Sequence, residues 1–230
     1  MLEIKSICKN FGEKRVLKDV SFTIPTAQVW SLLGINGAGK STLLKIICQL
    51  LPADKGEILF NGISVDPQNG NLGCMIESPS FLRDLTGRQN LKALSFLYQG
   101  ISNKRINEVM ELTGMSDHAN TLFKKYSTGM KQRLYFAYSI LNHPQLIVLD
   151  EPFNGLDPIG IKHMKDTIRF LSKKGCTILI SGHNISDLQE ISDGAVIIDQ
   201  GKVVSIYPEI QGMNMTDVFL QSVKSDGTAQ

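Results

Sequence analysis

A glycine-rich segment near the N-terminus has the residue types and spacing needed to bind phosphate. Residues 34–42 read Gly-Ile-Asn-Gly-Ala-Gly-Lys-Ser-Thr and match the pattern G-x-x-x-x-G-K-S. Its glycines allow backbone N–H groups to face nucleotide phosphates at a helix N-terminus. We expect Lys40 to reach the β- and γ-phosphates, Ser41 to coordinate Mg²⁺ and Thr42 to contact the α-phosphate. An ordinary glycine-rich turn is the alternative, which the Lys-Ser pair makes less favoured. The predicted nucleotide-binding set is Asn36, Gly37, Ala38, Gly39, Lys40, Ser41 and Thr42.

Two adjacent acids follow a second apolar run, Leu146 to Leu149. If that run is a buried parallel strand, Asp150 and Glu151 lie at its carboxyl end, where such sheets bind ligands. We expect Asp150 to hold Mg²⁺ and Glu151 to activate the attacking water as a general base. A strand that simply ends in solvated acids is the alternative reading of this pair.

His183 follows a third apolar run, Thr177 to Ile180, and a short turn. This order predicts that it lies at the same sheet edge, within reach of a γ-phosphate. A lone histidine is more often an ordinary surface or core residue. The prediction that His183 reaches a γ-phosphate therefore depends on its position after a buried strand.

Strands that alternate with helices must position these residues. An apolar run at Val29 to Leu33 precedes the phosphate loop, and apolar residues with helical spacing follow it. This alternation predicts an α/β fold with a parallel sheet. Runs at Leu2 to Cys8 and Val16 to Ile24 predict an N-terminal antiparallel β region. The further predicted strands are Glu57 to Phe60, Leu72 to Ile76 and Ala195 to Ile198, and the predicted helices near them are Ile161 to Lys173 and Ser186 to Ile191.

The middle of the chain has a helical pattern. Thr86 is suited to cap a helix through Tyr98, and Ser102 one over Asn103 to Leu112. We therefore predict a nucleotide-binding core of residues 1–76 plus 143–222, an inserted helical lobe of residues 77–142 and a flexible tail of residues 223–230.

Composition excludes several classes of protein. The chain has 230 residues, 42% of them hydrophobic and 20% charged, which argues against disorder. Its net charge of +2 is too small to indicate nucleic-acid binding. No apolar run is long enough to span a bilayer, and no signal segment is apparent, so we expect a cytoplasmic protein. The cysteines are scattered, which argues against disulfides and zinc and predicts buried thiols at Cys8, Cys48, Cys74 and Cys176.

Residues 126–133 read Tyr-Ser-Thr-Gly-Met-Lys-Gln-Arg, and with this segment the chain resembles the nucleotide-binding subunit of ATP-binding cassette (ABC) transporters over nearly its whole length. The family's signature loop usually reads L-S-G-G-Q. Ser127 and Gly129 fit that pattern, whereas Tyr126, Thr128 and Met130 depart from it. Ser127 is still suited to begin a helix that runs through residue 142. The free N–H groups and the positive dipole end at the N-terminus of such a helix attract phosphate. A plain helix cap is the alternative.

The resemblance implies a P-loop NTPase core of the ABC type that binds ATP and Mg²⁺. In the family, the signature loop faces the phosphate loop of a second subunit in a head-to-tail dimer. This implies that Asp157 lies in the loop that crosses the dimer interface, that His183 is the switch histidine and that Phe11 stacks on adenine. A core-facing aromatic beside a turn is the alternative for Phe11. The residues implied to contact the partner's ATP are Ser127, Thr128, Gly129 and Met130.

Glu77 marks a departure from the family. The loop between core and lobe usually carries Gln, and here residues 74–79 read Cys-Met-Ile-Glu-Ser-Pro. This segment, together with Leu85-Thr86-Gly87, Asn90-Leu91 and the methionine of the signature loop, is similar to transporters that expel lantibiotics or bacitracin. We expect Glu77 to compete for Mg²⁺ or to assist the attacking water, the alternative being that it only shapes the loop.

These features together predict the ATP-hydrolysing motor subunit of an ABC transporter that exports a lantibiotic or a similar peptide antibiotic. Separate transmembrane subunits are expected to dock near residues 77–97, which places the cassette peripherally on the inner face of the cell membrane. One alternative is an ABC motor for a different cargo, and another is a soluble ABC-type ATPase acting on DNA or ribosomes. The latter usually has a long coiled coil or two cassettes, which this chain lacks, and no nucleic-acid partner is expected. A nucleotide kinase would leave His183 and the signature-like loop without roles.

Overall fold

The computed structural model describes residues 1–66, 70–76, 81–98 and 100–225. A six-stranded sheet crosses the molecule in the spatial order β10-β9-β3-β8-β7-β6 when its strands are numbered along the chain. Neighbouring strands run parallel except for β10, which is antiparallel to β9. The predicted α/β fold with a parallel sheet is thereby confirmed. The strands are β3 (Val29–Leu33), β6 (Leu72–Met75), β7 (Leu146–Asp150), β8 (Thr177–Ser181), β9 (Gly194–Asp199) and β10 (Lys202–Tyr207).

A second sheet of four antiparallel strands confirms the predicted N-terminal β region. Its order is β2-β1-β4-β5, with β1 at Leu2–Phe11, β2 at Lys14–Ile24, β4 at Lys55–Phe60 and β5 at Ile63–Ser64. The first two strands are longer than predicted. Phe11 still pairs with Lys14, and Gly12 takes a left-handed φ of 58° in the tight turn between them. Strands β1 and β2 therefore stay paired up to Phe11 and Lys14, and the residues between these two form the turn of a β-hairpin.

Seven α-helices lie in the described part of the chain: α1 (Lys40–Ile47), α2 (Gly87–Ser95), α3 (Asn103–Leu112), α4 (Thr128–Ser139), α5 (Pro158–Lys173), α6 (Ile185–Gln189) and α7 (Met215–Ser225). Helices α2 to α4 lie between β6 and β7 in the chain. Thr86 caps α2 in a capping box with Gln89, and Ser102 caps α3, both at the predicted positions.

Several helix ends differ from prediction. Helix α2 stops at Ser95 rather than Tyr98, because residues 96–98 continue with bonds to carbonyls three residues earlier, a tighter turn than the α-helix. Helix α4 stops at Ser139 rather than 142, where Ile140 leaves helical geometry. Strand β10 and helix α7 were not predicted, and α7 extends to Ser225, into the expected flexible tail. Residues 226–230 and Glu77, Ser78 and Pro79 lie outside the described residues.

Alternate side chains of the central strands enter two hydrophobic cores on opposite faces of the six-stranded sheet. Ile147 and Leu149 of β7 pack with the helical lobe, including Phe136 of α4. Leu146 and Val148 pack on the other face, in the core that contains side chains of α1 and of the antiparallel sheet. The helix after the phosphate loop and the helix after the signature loop therefore lie on different faces.

The structure only partly matches the expectation that all four cysteines are buried thiols. All four cysteines are unpaired, but only Cys8 and Cys48 are buried, whereas Cys74 and Cys176 are partly exposed. Each of the latter lies at the margin of a core rather than inside it. Within residues 1–66, 70–76, 81–98 and 100–225, no helix is long and apolar enough to span a membrane.

Candidate functional site

The phosphate loop runs from the end of β3 into the first turn of α1. A Cβ atom on Gly34 would lie 2.4 Å from the Ile198 carbonyl oxygen, and one on Gly39 would lie 2.8 Å from a Leu17 methyl. Gly39 also has a φ of 107°, which L side chains rarely adopt. It precedes α1 without a side-chain cap, so no side chain competes for the first N–H groups of the helix. This is the arrangement that binds phosphate at a helix N-terminus.

Lys40 is 8% exposed and turns back into the loop that precedes it. Its Nζ donates to the carbonyl oxygens of Gly34 at 2.8 Å and Ile35 at 3.2 Å. Burial lowers the pKa of Lys40, and the negative charges of Glu151 and Asp150 partly offset that shift. The predicted lysine and the two predicted acids therefore share one site. Of the other predicted loop residues, Ala38 is buried, Thr42 is half-buried, and Asn36, Gly37 and Ser41 are exposed.

The two acids at the end of β7 have different surroundings. Asp150 accepts a hydrogen bond from the Ser181 hydroxyl of the neighbouring strand β8. Glu151 has a left-handed φ of 49°, and its backbone N–H donates to the Ser181 carbonyl oxygen at 3.1 Å. This conformation turns the chain sharply at the point where the strand ends.

The Glu151 carboxylate is held between two side chains. Its Oε2 accepts a hydrogen bond from the Asn154 amide and lies 3.3 Å from Nδ1 of His183. These residues line a cavity of about 170 Å³, with Ser181 and Gly182 on its wall. His183 thus lies where the sequence predicts, at the carboxyl edge of the sheet and beside the predicted base.

The signature segment begins α4. The Ser127 hydroxyl caps the helix by accepting from the Met130 N–H at 3.2 Å, which leaves Thr128 and Gly129 in the first turn. The segment packs against the loop after Glu151, because a Cβ on Gly129 would lie 3.2 Å from the Gly155 carbonyl oxygen. Gly155 itself has a φ of 75° and lies too close to the Thr128 methyl to carry a side chain.

Tyr126, which stands where the family usually has leucine, is buried and donates from its hydroxyl to the His118 carbonyl oxygen at 2.7 Å. A Cβ on Gly87 would lie 2.1 Å from that hydroxyl oxygen. The glycine at the start of α2 therefore provides the space that the larger side chain needs.

Asp157 and Phe11 occupy more exposed positions. Asp157 caps α5 by accepting from the Gly160 N–H at 2.7 Å, and Arg133 lies 3.6 Å from the same carboxylate oxygen. Phe11 ends β1 with half of its surface exposed, and the Lys9 ammonium lies 5.7 Å from its ring centroid. This exposed ring is not the core-facing aromatic of the alternative reading.

Three residues that the sequence did not single out complete the site. Ser181 contacts both acids, and Asn154 binds the Glu151 carboxylate. Gln132 of α4 donates to the carbonyl oxygens of Glu151 at 3.3 Å and Pro152 at 3.1 Å, which ties the signature helix to the acidic loop. Ser181 comes directly after the predicted strand Thr177 to Ile180, and this position indicates that it lies at the same sheet edge. Gln132 has no comparable signal.

Comparison with known protein families identifies the family to which this chain belongs. The sequence profile of the ABC transporter family matches residues 17–154, which include the phosphate loop, the signature segment and both acids. The chain belongs to the ABC transporter family. As an ATP-binding cassette of this family it binds and hydrolyses ATP.

Relatives of this cassette include ATP-binding proteins of lantibiotic and bacitracin transport. It is 36% identical over 221 residues to the lantibiotic transport ATP-binding protein SrtF of Streptococcus pyogenes, covering 95% of this chain and 96% of the relative. It is 35% identical over 209 residues to the bacitracin transport ATP-binding protein BcrA of Enterococcus faecalis, covering 89% and 68%. A solved structure of an ABC transporter ATP-binding subunit is 26% identical and has a TM-score of 0.87, covering 97% and 99%.

Proposed function

We propose that this cassette powers the export of a peptide antibiotic through separate membrane subunits. The proposed ATP hydrolysis is supported by the position of the Glu151 carboxylate, which lies between His183 and Asn154. This carboxylate is also close enough to Lys40 to influence the pKa of the lysine. The cargo assignment is supported by the relatives that transport lantibiotics and bacitracin. The alternative of a soluble ATPase on DNA or ribosomes is not favoured, because the described helices of the lobe are short and form no long coiled coil.

The residues around the phosphate loop are suited to hold ATP with Mg²⁺. Phosphate oxygens would accept from the loop N–H groups and from Lys40, while Phe11 offers an exposed ring to adenine. The Ser41 hydroxyl and the Asp150 carboxylate are oxygen donors, the kind that Mg²⁺ prefers. Ser181 binds only one oxygen of Asp150 and leaves the other available, so these residues fit the ion. Bound Mg²⁺ would neutralise charge on the phosphates.

We expect Glu151 to accept the proton of the attacking water. A general base must lie within hydrogen-bond reach of that water, and the contacts with Asn154 and His183 would orient the carboxylate for this role. His183 follows the same sheet edge and would contact the γ-phosphate and keep the base oriented. Glu77, the third predicted catalytic residue and metal ligand, lies outside the described residues, and its role stays a prediction.

A second copy of the chain would complete each site. The phosphate loop and the signature segment lie on different faces of the sheet, so one chain does not bring them together. In a head-to-tail homodimer, Asp157 would lie at the interface, and the partner's signature residues would bind the γ-phosphate from the other side; these are Ser127, Thr128, Gly129 and Met130.

Exposed apolar side chains on the lobe support docking of membrane subunits. Leu82, Phe96 and Leu97 are 58%, 82% and 70% exposed. Large exposed apolar side chains are frequent at protein interfaces, and these three all fall in the predicted docking region, residues 77–97. Docking there would hold the cassette on the inner face of the membrane.

The Glu151→Gln variant tests the catalytic assignment. It keeps the shape and removes the base, so we expect ATP binding to persist, hydrolysis to fall at least a hundredfold, and an ATP-bound dimer to accumulate in size-exclusion chromatography. Glu111→Gln, a change at an exposed helix residue, is the matched control. Undiminished turnover of Glu151→Gln would remove Glu151 as the base.

The cargo is tested in cells that express the cassette with its membrane subunits. Survival should increase when the cells are challenged with a lantibiotic or with bacitracin, and Glu151→Gln should abolish that protection. Active hydrolysis without protection against either class of peptide antibiotic would refute the cargo assignment and leave the ATPase assignment intact.

A further inference from the structure

We propose that Lys165 is a positioning residue for hydrolysis, which holds the loop carrying Asn154 and the segment carrying His183 in a fixed relation around Glu151. The proposal rests on the roles proposed above for Glu151 and His183. Lys165 is not part of any motif in the sequence, and among the described residues its ammonium contacts Asp187, Glu190 and Phe153 rather than Glu151.

Lys165 is a buried cation between two helices. It lies on α5, is 8% exposed, and its Nζ lies 2.7 Å from Oδ1 of Asp187 and 2.6 Å from Oε2 of Glu190. Asp187 is within α6 and Glu190 caps its C-terminus. The same ammonium lies 6.0 Å from the ring centroid of Phe153, in the loop after Glu151. One charge thus contacts both segments that approach the base.

Short connections link these contacts to the chemistry. The Asp187 carboxylate accepts from the Asn184 amide at 2.6 Å, and Asn184 caps α6 directly after His183. On the other side, Phe153 immediately precedes Asn154, whose amide binds Glu151. A displacement of α6 would therefore move His183, and a displacement of Phe153 would move Asn154.

Helix α6 needs such an attachment. It has five residues, far fewer than an isolated helix requires for stability in water, so tertiary contacts must hold it. Leu188 provides a buried apolar contact, Lys165 provides two ion pairs, and Arg169 donates to the Glu190 carbonyl oxygen at 3.4 Å. Burial alone would lower the pKa of Lys165, but hydrogen bonds with Asp187 and Glu190 outweigh that effect and raise it, so the ammonium form is favoured. Because small misplacements of catalytic groups reduce rates strongly, loss of this cation should slow hydrolysis.

The first test separates catalysis from ATP binding. Lys165→Met keeps the length of the side chain without its charge, and we expect kcat to fall about tenfold while KM for ATP changes less than twofold, because the phosphate loop is untouched. Lys165→Arg should restore at least half of the lost activity. Lys173→Met, at an exposed position of the same helix, is the control and should match wild type. Wild-type kcat in Lys165→Met would overturn the proposal.

The second test asks whether Lys165 acts through His183. In single-turnover assays, Lys165→Met should reduce the rate less in a His183→Ala background than alone, because one of the two residues it positions is already absent. A full tenfold loss in both backgrounds would overturn the proposal. If Lys165→Met folds poorly, Asp187→Asn takes its place in the same cycle. An unimpaired His183→Ala would refute the role of His183 itself, and the positioning role with it.

Discussion

Replacing Arg105 with methionine should destabilise the helical lobe strongly. This arginine on α3 is buried, and its guanidinium donates from Nε to the Leu141 carbonyl oxygen at 3.1 Å and from a second nitrogen to the Ile140 carbonyl oxygen. It also lies 2.9 Å from Glu108, whose side chain is half exposed. Ile140 caps the C-terminus of α4, where carbonyls lack partners within the helix.

The expected magnitude follows from these contacts. A hydrogen bond to a charged group contributes about 1.5–3 kcal/mol, so two such bonds give roughly 3–6 kcal/mol. The ion pair with half-exposed Glu108 adds no more than about 1 kcal/mol. Burial of the arginine charge costs desolvation energy, and methionine avoids that cost. This gain offsets part of the lost hydrogen bonding, so the net loss of folding stability should be near the lower limit, about 3 kcal/mol. For a chain of this size that corresponds to a fall in Tm of roughly 6–12 °C.

Differential scanning calorimetry of Arg105→Met, Arg105→Lys and Lys104→Met measures this effect. Lys104 neighbours Arg105 on the same helix and is exposed, so its replacement should leave Tm within about 2 °C of wild type. Arg105→Lys keeps the charge but lacks the planar fork, and it should fall between the other two. If Arg105→Met melts within about 2 °C of Lys104→Met, these carbonyl bonds contribute little, and the reasoning from burial is wrong.

Three further predictions concern ligand binding and pH. Lys40→Ala should weaken ATP binding at least tenfold in calorimetry, and unchanged affinity would refute its role in the phosphate loop. Phe11→Ala should lose about 1 kcal/mol of stacking, roughly a fivefold weaker Kd for ATP, whereas an equal Kd would exclude stacking. The raised pKa of Lys165 means that its ion pairs stabilise the fold below the ordinary lysine value of 10.5 and lose this effect as pH rises through the folded-state value. The Tm difference between wild type and Lys165→Met should therefore be constant near neutral pH and shrink above about pH 10.5.

The sequence predicts well which residues meet at this site, because its main residues follow buried strands. Lys40, Asp150 and His183 are far apart in the chain, yet each follows an apolar run: Asp150 directly, His183 after a short turn and Lys40 after the phosphate loop. Parallel strands place their carboxyl ends at one edge, so the runs alone indicate that these residues meet. The structure brings Lys40 and Asp150 together at that edge, and places His183 beside Glu151.

What the sequence does not predict depends on contacts between distant elements. The bonds from Gln132 to the acidic loop require the packing of α4 against residues after β7, which no local pattern encodes. Tyr126 in place of the usual leucine is explained only by the space at Gly87, which belongs to another helix. Strand β10 was missed because its side chains are mostly half-buried and give no clear alternation.

The two cores on opposite faces of the sheet have a consequence for how the cassette can diversify. Residues that support the phosphate loop, such as Leu43, belong to one core, while residues that support the lobe, such as Phe136, belong to the other. Substitutions in one core are separated from the other by the sheet itself, and distant substitutions tend to act independently. A lineage could thus reshape the lobe for a new membrane partner while leaving the packing of α1 behind the phosphate loop unchanged.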